Sequence, residues 1–138
     1  MGVRVGIDLV SVASIQASID AHGDRYLDRL YTARELSDCR SAGEIDPERL
    51  AARFAAKEAT MKVLRPADQA IPWNTIEIRR DPAGWVDLEL TGRAAALATE
   101  AGVRDLAVSL THEGSYASAV VVAELSSSPP DPEPMRRT

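Results

Sequence analysis

Glu58 and Lys62 lie four residues apart, and Leu50 and Phe54 precede them at the same interval. In a helix these four positions share one face. Leu50 and Phe54 turn that face toward a core. Glu58 then falls near the end of an apolar stripe, where an uncompensated carboxylate is costly to bury. Two compensations are open. One is an ion pair from Glu58 to Lys62 on a solvated surface, a common arrangement at this spacing. The other is a metal ion shared with a second carboxylate, with Lys62 facing a bound anion. Asp8 is the natural second carboxylate, because it follows the apolar, β-branched run from Val3 to Ile7 at the point where that strand is expected to end. Asp8 equally suits a cap for a helix beginning near Ser11. Two carboxylates completed by phosphate oxygens and water form a hard-oxygen set suited to Mg²⁺. The Cys/His spacing of a zinc site is absent.

These side chains need elements to hold them. Val3 to Ile7 reads as a strand. Val12, Ile15 and Ile19 give near-helical spacing over Ser11–Ala21, closed by His22-Gly23. Asp24 can cap a short helix through Leu30, and Thr32-Ala33-Arg34-Glu35 fits a capping box for another. Ser41–Ile45 reads as a loop. Asp46-Pro47 supplies an N-cap and a first-turn proline for a long alanine-rich helix that runs to about Leu64 and stops before Pro66. The alternation in Thr75–Arg79 and again in Trp85–Leu90, around the type I turn residues Asp81-Pro82-Ala83-Gly84, predicts a hairpin. Thr91 caps a helix across Arg93–Glu100, with Gly102 as its stop. Leu106–Leu110 and Tyr116–Leu125 are two further strands, with Thr111-His112-Glu113-Gly114-Ser115 as the connection. The order predicts an α+β domain over residues 1–125. Residues 126–138, rich in Ser and Pro, are expected to form a disordered tail.

Composition bounds the function. The chain has 138 residues, enough for one domain with one core. A formal net charge of -5 argues against a broad nucleic-acid or anionic-membrane surface. Aromatics are 4% of the chain, so the core must be aliphatic and alanine-rich. The single cysteine, Cys39, excludes an internal disulfide. No apolar run is long enough to cross a bilayer and no signal-peptide pattern opens the chain, so a cytoplasmic protein is expected. Of 16 basic residues only Lys57 and Lys62 are lysine, and both lie in the long helix.

Three segments together resemble the signatures of the holo-acyl-carrier-protein synthases, the small single-domain 4′-phosphopantetheinyl transferases. They are Gly6-Ile7-Asp8-Leu9-Val10, then Arg53-Phe54-Ala55-Ala56-Lys57-Glu58-Ala59 with Lys62, then Ser109-Leu110-Thr111-His112-Glu113 followed by Ala119-Val120-Val121. They occur in family order across residues 3–125, and Trp73–Ile78 also fits. The resemblance implies an antiparallel sheet packed against a long central helix. It implies Mg²⁺-dependent transfer of 4′-phosphopantetheine from coenzyme A to a serine of an apo acyl carrier protein, releasing adenosine 3′,5′-bisphosphate. Asp8 and Glu58 are then the metal ligands, Lys62 joins them in catalysis, and Arg53, Lys57, Lys62, Arg65 and His112 contact coenzyme A. Taken alone, His112 reads equally as a structural histidine at a strand end. Family members commonly form homotrimers with sites between subunits.

The segment departs from the family in three places. Ser14 stands where an arginine associated with carrier contact is usual, and Ala107 where a histidine of the coenzyme A site is usual. Arg65-Pro66-Ala67-Asp68 replaces a glycine-rich turn, and Arg65 can compensate. These losses motivate an alternative, a catalytically weakened homologue that binds a carrier or nucleotide without turnover. Carrier proteins are typically acidic, and Arg25, Arg29 and Arg34 are the expected docking residues, although interleaved acids make them equally readable as a solvated mixed-charge face. The pathway served, whether fatty-acid, polyketide or peptide synthesis, is not written in the sequence.

Overall fold

Val3, Val5, Ile7 and Leu9 alternate with Arg4, Gly6, Asp8 and Val10, so one strand must present two different faces. The computed structural model, which describes residues 2–126, places this strand at Gly2–Ser11 (β1). It pairs antiparallel with Tyr116–Leu125 (β7), which pairs antiparallel with Val103–Glu113 (β6), giving the order β1-β7-β6. The register sets Asp8 opposite Ala119, and Ala119 opposite Leu110. The inner face of this sheet is built from small residues, with Gly6, Ala117, Ala119, Val121 and Ala123 all buried. Small residues let a helix come close.

That helix is Pro47–Leu64 (α4). Asp46 caps it by accepting from the Glu48 N–H at 2.9 Å, and Pro47 occupies the first turn. Leu50, Ala51, Ala52, Ala55, Ala56, Ala59 and Val63 are buried along it. It ends at Arg65, whose φ of 53° is left-handed, a conformation that glycine would adopt more easily. The closest approach is at Gly6, where a Cβ would overlap the Ala59 carbonyl oxygen.

Val12–His22 (α1), Asp24–Leu30 (α2) and Ala33–Asp38 (α3) wrap one flank. Arg40–Ser41 (β2) and Glu44–Ile45 (β3) form a minimal ladder before α4. After α4, a 3₁₀ turn at Trp73–Thr75 leads into Ile76–Arg80 (β4), which pairs with Val86–Leu90 (β5). Gly92–Glu100 (α5) then precedes β6. This is the expected antiparallel sheet on a long central helix. The capping box at Thr32 is present, as is the turn closed by the Gly84 N–H to the Asp81 carbonyl at 2.9 Å.

Four expectations are corrected. β1 runs on to Ser11, so Asp8 lies inside the strand; antiparallel pairing with β7 extends it past the apolar run. The N-cap of α1 is Ser11, which accepts from the Ser14 N–H, so the capping role does not fall to Asp8. Ser41–Ile45 is not all loop, because Ser41 pairs with Glu44. Thr111 and Glu113 are strand residues of β6, paired with Ser118 and Tyr116, and the turn shrinks to Gly114-Ser115. The expected tail lies outside the described residues apart from Ser126. Among the described residues no helix is long and apolar enough to cross a membrane.

Candidate active site

Even-numbered residues of β1 face α4. Arg4 Nη1 reaches the Val63 carbonyl at 2.9 Å, Gly6 meets Ala59, and Asp8 therefore faces the last turns of the helix. Lys62 answers from the helix. Its Nζ donates to the Ile7 carbonyl at 2.7 Å and lies 3.3 Å from Asp8 Oδ1. Lys62 thus pairs with Asp8 and not with Glu58, which sets aside the surface-pair reading of the i,i+4 spacing. Glu58 is half-buried beside them. Burial first, and then the Asp8 carboxylate, push its carboxyl above the usual carboxylate range, while Lys62 pulls the other way. The cluster holds two carboxylates against one ammonium and carries excess negative charge.

Among the described residues no third carboxylate, cysteine or histidine joins them to complete a protein-only metal cage. Such a donor set fits Mg²⁺, which keeps waters and phosphate oxygens and takes one or two carboxylates. A divalent cation would also relieve the repulsion felt by Glu58.

A second cluster forms around the first half of α4. Arg53 is 1% exposed, and its Nε and Nη2 are buried without a hydrogen-bond partner. A buried cationic donor without an acceptor is costly. Arg53 lines a cleft of about 390 Å³ with Arg49, Arg80, Trp85, Ser109 and His112. His112 Nδ1 sits 2.8 Å from Glu48 Oε2. A cleft with three guanidiniums and a histidine suits an anion, and phosphate above all, because guanidinium forks match its geometry.

The structure therefore groups Asp8, Glu58 and Lys62 in one place and Arg53 with His112 in another. Arg65 is exposed at the end of α4, three residues beyond Lys62. Lys57 is a correction. Its ammonium is fully buried, 2.8 Å from Glu35 Oε1, and donates to the carbonyls of Trp73 (3.0 Å) and Ile76. All three N–H groups are used inside the core, so none remains for coenzyme A. The docking residues also separate. Arg25 and Arg29 line a groove with His22, Tyr26, Leu30 and Trp73, whereas Arg34 lines another with Arg79, Arg80, Asp81 and Asp87.

Sequence reasoning missed Glu35, Gly6 as a contact, and the partners of Arg53 in its cleft, Arg49 and Arg80. Lys57 did carry a signal: it follows Ala55-Ala56 in a helix too alanine-rich to have a polar face there.

Sequence and fold both have relatives among known proteins. A holo-[acyl-carrier-protein] synthase of Koribacter versatilis is 41% identical over 125 residues, which are 90% of this chain and 99% of the relative. The fold matches the ACPS–CoA complex of Chronobacterium ammoniagenes with a TM-score of 0.79 at 27% identity, over 92% of this chain and all of that one. It matches the acyl carrier protein synthase of Mycobacterium tuberculosis with a TM-score of 0.70 at 35% identity, over 91% and 100%. The family model of the 4′-phosphopantetheinyl transferase superfamily covers residues 4–121, from the strand that carries Asp8 to the central strand β7, and the chain belongs to that superfamily.

Proposed function

We propose that the chain transfers the 4′-phosphopantetheine arm of coenzyme A to a serine hydroxyl of an apo acyl carrier protein, as a holo-[acyl-carrier-protein] synthase. The observation that carries this reading is the unbalanced pair Asp8 and Glu58 with Lys62 beside it. Coenzyme A presents a pyrophosphate and a 3′-phosphate, and the chain offers cationic or metal-ready groups in two places.

Asp8 and Glu58 would hold Mg²⁺, which supplies charge neutralisation on the pyrophosphate. Lys62 adds a point charge on the same oxygens, held in place by the Ile7 carbonyl. Arg53, Arg49 and His112 bind the nucleotide-side phosphate, whose oxygens give the buried guanidinium its missing acceptor. The serine oxygen bonds to the phosphorus of the pantetheine side. The bridging P–O bond breaks, and adenosine 3′,5′-bisphosphate leaves with its electrons. The serine proton passes to the Glu58 carboxylate, directly or through one water.

Arg25 and Arg29 over the apolar floor of Tyr26, Leu30 and Trp73 suit an acidic, amphipathic carrier helix. The outer sheet face supports self-association into a homotrimer. Val3, Val5, Ile7 and Leu9 are 59–65% exposed in one row, more apolar surface than a lone subunit usually presents. A coenzyme A-fed reaction belongs in the cytoplasm, and Cys39 is a free, buried thiol there.

The test is to incubate the protein with apo carriers, coenzyme A and Mg²⁺ and weigh the carriers. A phosphopantetheine mass gain is expected, and none with any of several carriers would overturn the transfer reading. Carrier binding without mass gain would select the weakened homologue instead. Glu58→Ala should abolish the gain. Light scattering should give three chains per particle, and a clean monomer would refute the trimer.

A further inference from the structure

The buried pair of Glu35 and Lys57 has no part in the chemistry above, yet every polar atom it owns is engaged. Lys57 Nζ spends its three donors on Glu35, the Trp73 carbonyl and the Ile76 carbonyl. Glu35 Oε1 also accepts from the Thr32 N–H at 2.9 Å, and Oε2 from the Ile78 N–H at 2.8 Å. Both side chains are fully buried. One ion pair thereby ties α3, the Trp73–Ile76 segment, β4 and α4 together.

Apolar residues of similar volume at such a place are often as stable as the ion pair or more so. What the pair adds is direction. An ammonium with three fixed acceptors sets the rotation of α4 about its own axis, which an apolar contact does only loosely. The residue after Lys57 is Glu58. The residue after Glu58 is Ala59, whose carbonyl rests against Gly6, two residues before Asp8 on the same strand face. Glu58 thus sits between two fixed points, one tied to α3 and β4, the other to the strand that carries Asp8. Trp73 also packs on Phe54, at 5.3 Å between ring centres, and forms a wall of the Arg25–Arg29 groove.

We propose that the Glu35–Lys57 pair is a positioning device that holds Glu58 in register with Asp8 and fastens that register to the Trp73 wall of the docking groove. This deepens the transferase reading and rests on it. Lys57 acts through its neighbour and touches no substrate.

The test uses Glu35→Gln with Lys57→Met, a charge-free double variant in which the glutamine carbonyl oxygen accepts from one of the Thr32 and Ile78 amides and the other loses its acceptor. Mn²⁺ affinity is measured on the protein alone by electron paramagnetic resonance, beside the melting temperature and the kcat and KM of transfer. The expected result is a folded protein with a lowered melting temperature, Mn²⁺ affinity about tenfold weaker, and kcat lowered about tenfold at unchanged KM for coenzyme A. Parental Mn²⁺ affinity and kcat in the folded double variant would overturn the proposal and leave the pair purely structural. Should that variant not fold, Glu35→Asp gives the same readout, because it keeps both charges and retracts one arm. Undiminished Mn²⁺ affinity there overturns the proposal as well. A parent that binds no Mn²⁺ and transfers nothing would instead sink the transferase reading, so the two failures are distinct.

Discussion

Two acid–base clusters sit on one helix within a few residues of each other, and they are opposites. Around Lys57, the ammonium has three acceptors and the carboxylate three donors, all out of contact with water. Around Glu58, two carboxylates share one ammonium at the rim, and Lys62 keeps a side-chain exposure of 55%. The first is saturated and closed. The second is short of positive charge and open. On the proposed reading, with a polyanionic cosubstrate, the unsaturated cluster is where a cation and a ligand would complete the count, and the saturated one is where the scaffold would be fastened. Arg53 is a third case, closed off from water like Lys57 but unsaturated like Glu58, and it faces a cleft.

The sharpest way to break this contrast is to unbalance the closed cluster. Lys57→Met leaves Glu35 buried without its counter-charge and should cost about 3–5 kcal/mol. For a chain of this size that lowers the melting temperature by roughly 10 °C or more. Lys62→Met, at the open cluster, should change stability by no more than about 0.5 kcal/mol while raising the KM for coenzyme A. Equal losses from both would erase the distinction. Next in size is Gly6→Ala. The methyl overlaps the Ala59 carbonyl, which is backbone and cannot rotate away, so urea denaturation should show a loss of about 1–3 kcal/mol together with weaker Mn²⁺ binding. A fully stable variant would mean the strand and helix are not in close contact there. Smaller again, and opposite in sign, is Arg65→Gly. Relief of the left-handed backbone should raise stability by about 0.5 kcal/mol, after the added freedom of glycine in the unfolded chain is subtracted. If the guanidinium serves the phosphates, the KM for coenzyme A rises in the same variant; an unchanged KM removes Arg65 from the site.

The last prediction concerns charge in the open cluster. Burial and Asp8 hold the Glu58 carboxyl above the usual range, so Glu58 takes up its proton at a higher pH than an ordinary glutamate. Mn²⁺ affinity should therefore fall on mild acidification, before ordinary carboxylates titrate. In metal-free protein, carbon NMR of the Glu58 carboxyl should show its midpoint move down in Asp8→Asn. A midpoint that does not move would show that the two carboxylates do not feel each other.

What the sequence made legible was whatever repeats along one element. The four-residue spacing of Leu50, Phe54, Glu58 and Lys62, the Asp46-Pro47 start of α4 and the Thr32 capping box are local patterns, and the structure has them. Lys57 was misassigned because its partners come from α3 and the Trp73–Ile76 segment, and no helical period reports them. Glu35 was hidden by its own capping role, which accounts for the residue without calling for a second partner. The reach of β6 past Leu110 was invisible for a similar reason: Thr111-His112-Glu113 is a polar run leading into Gly114-Ser115 with no apolar alternation, and only pairing with β7 makes it strand. The lone guanidinium of Arg53 belongs to the same class, since a small-residue helix gives no sign of how deep its arginine lies.

The near absence of lysine has a practical consequence. One of the two ammonium groups is sealed in the core, and the other stands half-exposed beside Asp8. An amine-directed acylating reagent therefore meets Lys62 as the one accessible lysine of these 138 residues. The rate at which Lys62 is labelled becomes a direct gauge of whether its site is occupied, readable by mass without any turnover.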